Sequence, residues 1–260
     1  SLGMGVAGVA WATLIAQGIS AVLSFVFLMI KLKGIQTEHF SAFDVAVLRN
    51  MIKVAIPTII QQSIVSVGML LIQAAVNRFG STFLAGYTAA VKIDGIAIVP
   101  MVAVGNAMST YVAQNMGAGK PERIGKGYRI CLAMAAGIGI IIAVIFCFCG
   151  KRFVGLFMDS EKGAEAIAVG AQYLSVVSLF YFVMGIMNVS NGVLRGAADM
   201  RWFLTCSLVN LCVRVGLTYA LADVTEGMII MWANPIGWAV GLIIAACRYF
   251  QGGWKKKRIV

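Results

Sequence analysis

The chain is poor in nearly everything that soluble catalysis uses. Charged residues make up 12% of its 260 positions, and histidine occurs once, at His39 in a polar stretch. One histidine cannot assemble a serine-type or zinc-type hydrolytic site. The phosphate-cradling pattern Gly-x-x-x-x-Gly-Lys-Ser/Thr is missing. Asp94 is the only carboxylate well inside an apolar stretch, whereas intramembrane aspartyl proteolysis needs two. The stretch 228–247 has no lysine for a retinal Schiff base. Cys131, Cys147, Cys149, Cys206, Cys212 and Cys247 fall in or beside apolar segments and read as small buried hydrophobes, not as a disulfide framework. Cys147-x-Cys149 lacks partner histidines for zinc. No enzyme, metal ligand set or cofactor is expected. Transport or a non-catalytic membrane module remains.

What the chain has in quantity is apolar length. Sixty per cent of its residues are hydrophobic (60%), with mean hydropathy +0.91. Seven stretches, near 5–30, 54–77, 84–116, 130–150, 166–194, 202–222 and 228–247, are each long enough to cross a bilayer as a helix. The cations crowd into alternate gaps. One set holds Lys31, Lys33, Arg49 and Lys53, then Lys120, Arg123, Lys126 and Arg129, then Arg195 and Arg201, then Arg248 and the tail Lys255, Lys256, Lys257 and Arg258. The other gaps hold only Arg78, Lys151, Arg152 and Lys162. Loops rich in Lys and Arg stay in the cytoplasm, so the C-terminus is expected inside and Ser1 outside. The net charge of +11 is thus spread over membrane-flanking loops. That pattern fits anionic lipid headgroups and not nucleic acid. Trp202, Trp232 and Trp254 lie near segment ends, where interfacial aromatics belong.

The least apolar stretch, 32–52, is expected as a cytoplasmic linker with a short amphipathic helix along the membrane surface. Beyond it, Pro57 enters the second span and is expected to kink it. Gln62, Ser66, Gln73 and Asn77 follow at spacings that place them on one helical stripe. Ser175, Ser178, Tyr181, Gly185, Asn188 and Gly192 repeat the pattern in the fifth span. Two readings stand for such stripes: a wet cavity, or interhelical hydrogen-bonding glue. The third span is longer than a bilayer needs and must tilt, bend at Pro100 or protrude. Asp94 inside it calls for a partner cation, Lys92 or Arg214, or else for a role linked to substrate or protons. Lys92 is two residues away, about 200° around a helix, and so faces elsewhere. Gly117, Gly119 and Pro121 break the helix before Lys120 and Arg123, and Arg195-Gly196 ends the fifth span with Asp199 placed to pair with an arginine. These turns read as headgroup anchors or as switch elements.

Several motifs resemble the multidrug and toxic compound extrusion (MATE) family. Ile56-Pro57-Thr58-Ile59-Ile60-Gln61-Gln62-Ser63 resembles the start of its seventh helix, and Tyr87 to Asp94 with Gly105 to Thr110 its eighth. Ala113-Gln114-Asn115-Met116-Gly117-Ala118-Gly119-Lys120-Pro121-Glu122-Arg123 resembles the loop that follows, and Gly192 to Ala197 the turn after the tenth helix. The resemblance covers essentially the whole chain and only part of the family's two-lobed architecture. It implies the last N-lobe helix in 1–31, an inter-lobe linker in 32–52, a six-helix C-lobe in 53–248 and a basic cytoplasmic tail in 249–260. With an odd span count and an external Ser1, the chain reads as a piece of a longer protein lacking most of the N-lobe.

The function this resemblance implies is efflux of bulky amphipathic or cationic small molecules across the plasma membrane. The mechanism would be alternating access coupled to Na⁺ or H⁺ antiport. Gln62, Ser66, Gln73, Asn77, Tyr181 and Asn188 are the expected cavity wall, with Lys92, Asp94 and Arg214 as a buried polar network beside it. The family's C-lobe coupling acids are not matched, because 54–77 and 166–194 contain no Asp or Glu. A coupling acid would then sit in the missing N-lobe, with Asp94 as the local substitute. Two alternatives stay open: a flippase for lipid-linked oligosaccharides, and a transport-dead membrane module.

Overall fold

The computed structural model describes residues 5–33, 43–156 and 163–256. A backbone in hydrocarbon must satisfy its own hydrogen bonds, and a helix does so within one segment. The described residues form helices joined by short turns, with no strand among them. They are α1 (Gly5–Leu32), α2 (Val45–Val76), α3 (Gly80–Ala97), α4 (Val99–Gly117), α5 (Ile124–Gly155), α6 (Ala164–Ser178), α7 (Tyr181–Gly196), α8 (Met200–Leu221) and α9 (Met228–Gln251). Five apolar runs are long enough to cross a membrane, and α6 with α7, bent by 53°, makes a sixth. One of the five, Val45–Gly117, contains both α2 and the α3–α4 pair. The seven stretches therefore correspond to α1, α2, α3–α4, α5, α6–α7, α8 and α9. This is an all-α, multi-pass membrane protein.

By its internal contacts the chain divides into two units, Ser1–Leu48 and Arg49–Val260. The division falls within the expected linker, yet residues 45–52 are helical and continue into α2. Asp44 explains the early start. Its Oδ1 accepts from the backbone N–H of Ala46 (2.7 Å) and Val47 (3.2 Å), capping the first turn. The rest of the linker helix expected around 34–42, with His39, lies outside the described residues, as do Lys162 and residues 257–260. In the tail, α9 runs to Gln251, and Gly253–Lys256 form a 3₁₀ turn that buries Trp254. Trp254 is thus packed, not interfacial. Its ring stacks on Tyr249 (5.6 Å), which stacks in turn on Tyr128 of α5 (4.1 Å).

In the second unit α7 is the central helix, packed against α4, α5, α8 and α9. Its approach to α4 runs through small residues. A methyl on Gly192 would collide with the Gly105 carbonyl oxygen, and one on Gly196 with the Ser109 carbonyl oxygen. Close backbone contact of this kind is how helices gain packing energy where lipid supplies no hydrophobic drive. On another side α2 meets α8, with Gly68 facing Leu211 and the Tyr219 hydroxyl donating to the Leu71 carbonyl (3.0 Å).

Three helices are irregular near one another. Ile98 separates α3 from α4, and Pro100 in the first turn of α4 lacks the N–H that Ile96 would have used. The fifth span, expected as one helix, breaks at Leu179–Phe180, where Phe180 packs its ring against Trp232 (5.7 Å). Pro235 sits inside α9. These interruptions surround the polar centre of the bundle.

Candidate functional site

Two cavities open along the polar side of α2. The first, about 290 Å³, draws its walls from five helices: Gln61 and Gln62 of α2, Asn106 of α4, Asn188, Asn191 and Arg195 of α7, Ser207, Asn210 and Arg214 of α8, and Trp238 of α9. The second, about 450 Å³, is lined by Ser66 and Gln73 of α2, Tyr87 and Asp94 of α3, Tyr173 of α6, Arg214 of α8 and Asn234 of α9. Arg214 belongs to both. The α2 stripe thus faces cavities over three of its four members. Asn77 does not follow: α2 tightens into a 3₁₀ turn at Asn77–Phe79, and Asn77 is exposed and lines neither cavity.

Asp94 is buried and accepts a hydrogen bond from the Tyr181 hydroxyl at 2.5 Å. Its hydrogen-bonding partner is therefore a tyrosine, and Tyr181 is itself fully buried and off the cavity walls. The break at 179–180 puts Tyr181 at the first position of α7, where its side chain reaches across to α3. Lys92 is exposed and forms no ion pair among the described residues, so the expected three-membered network reduces to Asp94 and Arg214 on one cavity wall, without an ion pair between them. Around Asp94, Tyr87 and Tyr173 pack edge to face (5.3 Å), and Asn234 donates to the Tyr173 hydroxyl (2.8 Å).

The family model described as MatE matches residues 57–220. The chain belongs to this family. Among curated relatives it is similar to a probable multidrug resistance protein, YpnP of Bacillus subtilis, at 28% identity over 98% of this chain and 57% of the relative. The chain spans a little over half the length of the relatives it matches over its whole extent. Among solved structures it resembles a MATE in complex with MaL6, with a TM-score of 0.80 and 20% identity over 99% of this chain and 57% of that one. The MATE transporter ClbM in complex with Rb⁺ gives 0.77 at 22%, over 97% and 56%. At such identities the structures establish the shared fold.

Within this MatE chain the loop residues separate into two groups. Gly117, Gly119 and Lys120 are exposed at the end of α4, with Gly119 in the left-handed region (φ +66°), and Pro121 opens the short turn that carries Arg123. Tyr111 donates to the Arg123 carbonyl (3.3 Å) and holds that turn against α4. Asp199, by contrast, is buried at 1% exposure and pairs with Arg248 of α9 at 2.8 Å, while the Arg248 guanidinium lies over Trp202 (5.2 Å). Arg195 turns away from the loop. Its Nη2 donates to Asn106 Oδ1 (2.5 Å) and its Nε to Ser109 Oγ (3.2 Å), which places it on the first cavity. Sequence reasoning passed over Asn106, Asn191, Ser207 and Asn210 as wall residues. Ser207, Asn210 and Arg214 recur at helical spacing on α8, a signal that was there to be used.

Proposed function

We propose that this MatE chain forms one wall of an export pathway for amphipathic small molecules. The pathway works by alternating access against a second lobe and is driven by Na⁺ or H⁺ antiport. The observation that carries the reading is the pair of cavities walled by polar residues of seven helices inside an otherwise apolar bundle, since such residues are costly when they face lipid. In this reading residues 1–31 are the last helix of the N-lobe, residues 32–52 the inter-lobe linker and residues 53–248 the C-lobe. The cation-rich loops face the cytoplasm of the plasma membrane, where anionic headgroups meet them.

With α2 and α7 free of Asp and Glu, we place the coupling acid in the partner lobe, with Asp94 and Tyr181 as the local substitute. The relatives' names support the substrate class: YpnP is described as a probable multidrug resistance protein. The test is accumulation of a panel of cationic, neutral and anionic amphipathic dyes in an efflux-deficient bacterium expressing this chain together with its second lobe. At least one dye should accumulate less than in empty-vector cells, and an uncoupler should restore it. Unchanged accumulation of every dye overturns the transport reading.

A further inference from the structure

The first cavity carries charge of one sign. Arg195 and Arg214 both line it, and none of its lining residues is Asp or Glu. Arg195 spends its hydrogen bonds on uncharged acceptors, Asn106 and Ser109. The Arg214 guanidinium makes no hydrogen bond or ion pair with any described residue, and its Nε is fully buried. Asp94 offers partial compensation from the second cavity, but it is engaged by Tyr181 and forms no ion pair with Arg214. One carboxylate against two guanidiniums leaves the wall electropositive.

A buried donor without an acceptor is expensive, and a ligand that supplies the acceptor recovers that cost. Guanidinium forks match carboxylate, sulfonate and phosphate oxygens in geometry and charge. A cation in the same place meets two like charges and is repelled. Asn191 adds a complementary feature, because it lines the same cavity and its Oδ1 is also buried without a partner. A hydroxyl or amide N–H on the ligand would satisfy it. Trp238 and Phe203 supply an apolar surface beside these groups.

We propose that the first cavity binds the anionic group of an amphipathic compound, a carboxylate, sulfonate or phosphate, so that this transporter's substrates are organic anions. The proposal rests on the transport reading above for its physiological meaning, but the binding it asserts is separately measurable. The cation class implied by family resemblance is replaced by the chemistry of Arg195 and Arg214.

The full chain in phosphatidylcholine nanodiscs is titrated with three dansyl probes that share one ring: a carboxylate, its methyl ester and a quaternary amine. Quenching of tryptophan emission reports binding, with displacement by excess of the matching unlabelled compound as the control that removes the signal. The carboxylate should bind at least about ten-fold more tightly than the ester, the ratio expected of one charge-assisted hydrogen bond. Arg214→Gln should bring it to the ester's level, and Arg214→Lys should restore part of the difference. Gly237→Ala gives a second route that keeps the charge, because its methyl would lie 2.5 Å from Arg214 Cγ and must displace that side chain. It should weaken the carboxylate and spare the ester.

Doping the nanodiscs with phosphatidylglycerol separates the sources of the anion. Competition with the probe assigns the site to a lipid headgroup, absence of competition to a soluble anion, and either supports the site. Quaternary amine bound as tightly as carboxylate, no binding by any probe, or a carboxylate affinity indifferent to Arg214→Gln and Gly237→Ala overturns it. The same probes followed across proteoliposomes that hold this chain with its second lobe keep the two readings apart. Carboxylate binding without movement of any probe sinks transport and leaves the anion site, whereas movement of the amine alone sinks the anion site and leaves transport.

Discussion

Tyr181→Phe removes one oxygen from the centre of the bundle and leaves its shape alone. The ring keeps its neighbours, Phe146 at 6.1 Å and Trp238 at 6.2 Å, while Asp94 loses the hydroxyl that donates to it. A hydrogen bond to a charged acceptor contributes about 1.5–3 kcal/mol. Polar bonds inside membrane bundles run lower, about 0.6 on average with a maximum near 1.7 kcal/mol. Asp94 also borders the second cavity, so water can partly replace the lost donor. The two ranges meet at about 1.5 kcal/mol, which corresponds to a fall of about 3–6 °C in Tm for a unit of this size. Thermal unfolding in detergent measures it. Combining the change with Asp94→Asn should give a loss smaller than the sum of the two single losses, by about 1 kcal/mol. A Tyr181→Phe protein melting within about 1 °C of its parent, or losses that add to within about 0.5 kcal/mol, would refute the bond as a stabilising contact.

Ala198 adopts φ 54° between Arg195 and Asp199, a backbone region that costs an L-residue about 1–2 kcal/mol. Ala198→Gly relieves that strain and gives back part of the gain as unfolded-state entropy, so the protein should become about 0.5–1 kcal/mol more stable by the same melt. Arg248→Ala removes the guanidinium that pairs with buried Asp199 and covers Trp202, and should cost about 2–3 kcal/mol. Arg248→Lys, lacking the planar fork, should recover only part of it.

The spans were legible because burial in lipid demands apolar composition regardless of which side a residue faces. The cavity wall was legible where a stripe stays on an intact helix, as Gln62, Ser66 and Gln73 do on α2. It was not legible at Asn77, where the helix winding changes and carries the side chain off the stripe. The break at Leu179–Phe180 has no proline or glycine to announce it, and the Phe180–Trp232 contact beside it is tertiary. Asp94 stood out as a costly group, but its tyrosine partner lies 87 residues away and leaves no local trace. Arg195 looked like a loop anchor because sequence position fixes where a long side chain starts and not where it ends.

Interruptions in α3–α4, α6–α7 and α9 all lie within a turn or two of the Asp94–Tyr181 contact. Some of the backbone bonds that stiffen a helix are missing at that level of the second unit, which is where a knee would form if the unit bends. Bending there would leave the helices on either side of the joint intact. A ligand that bridges Arg195 and Arg214 would sit beside this joint, where a small force has the longest lever on the helix ends.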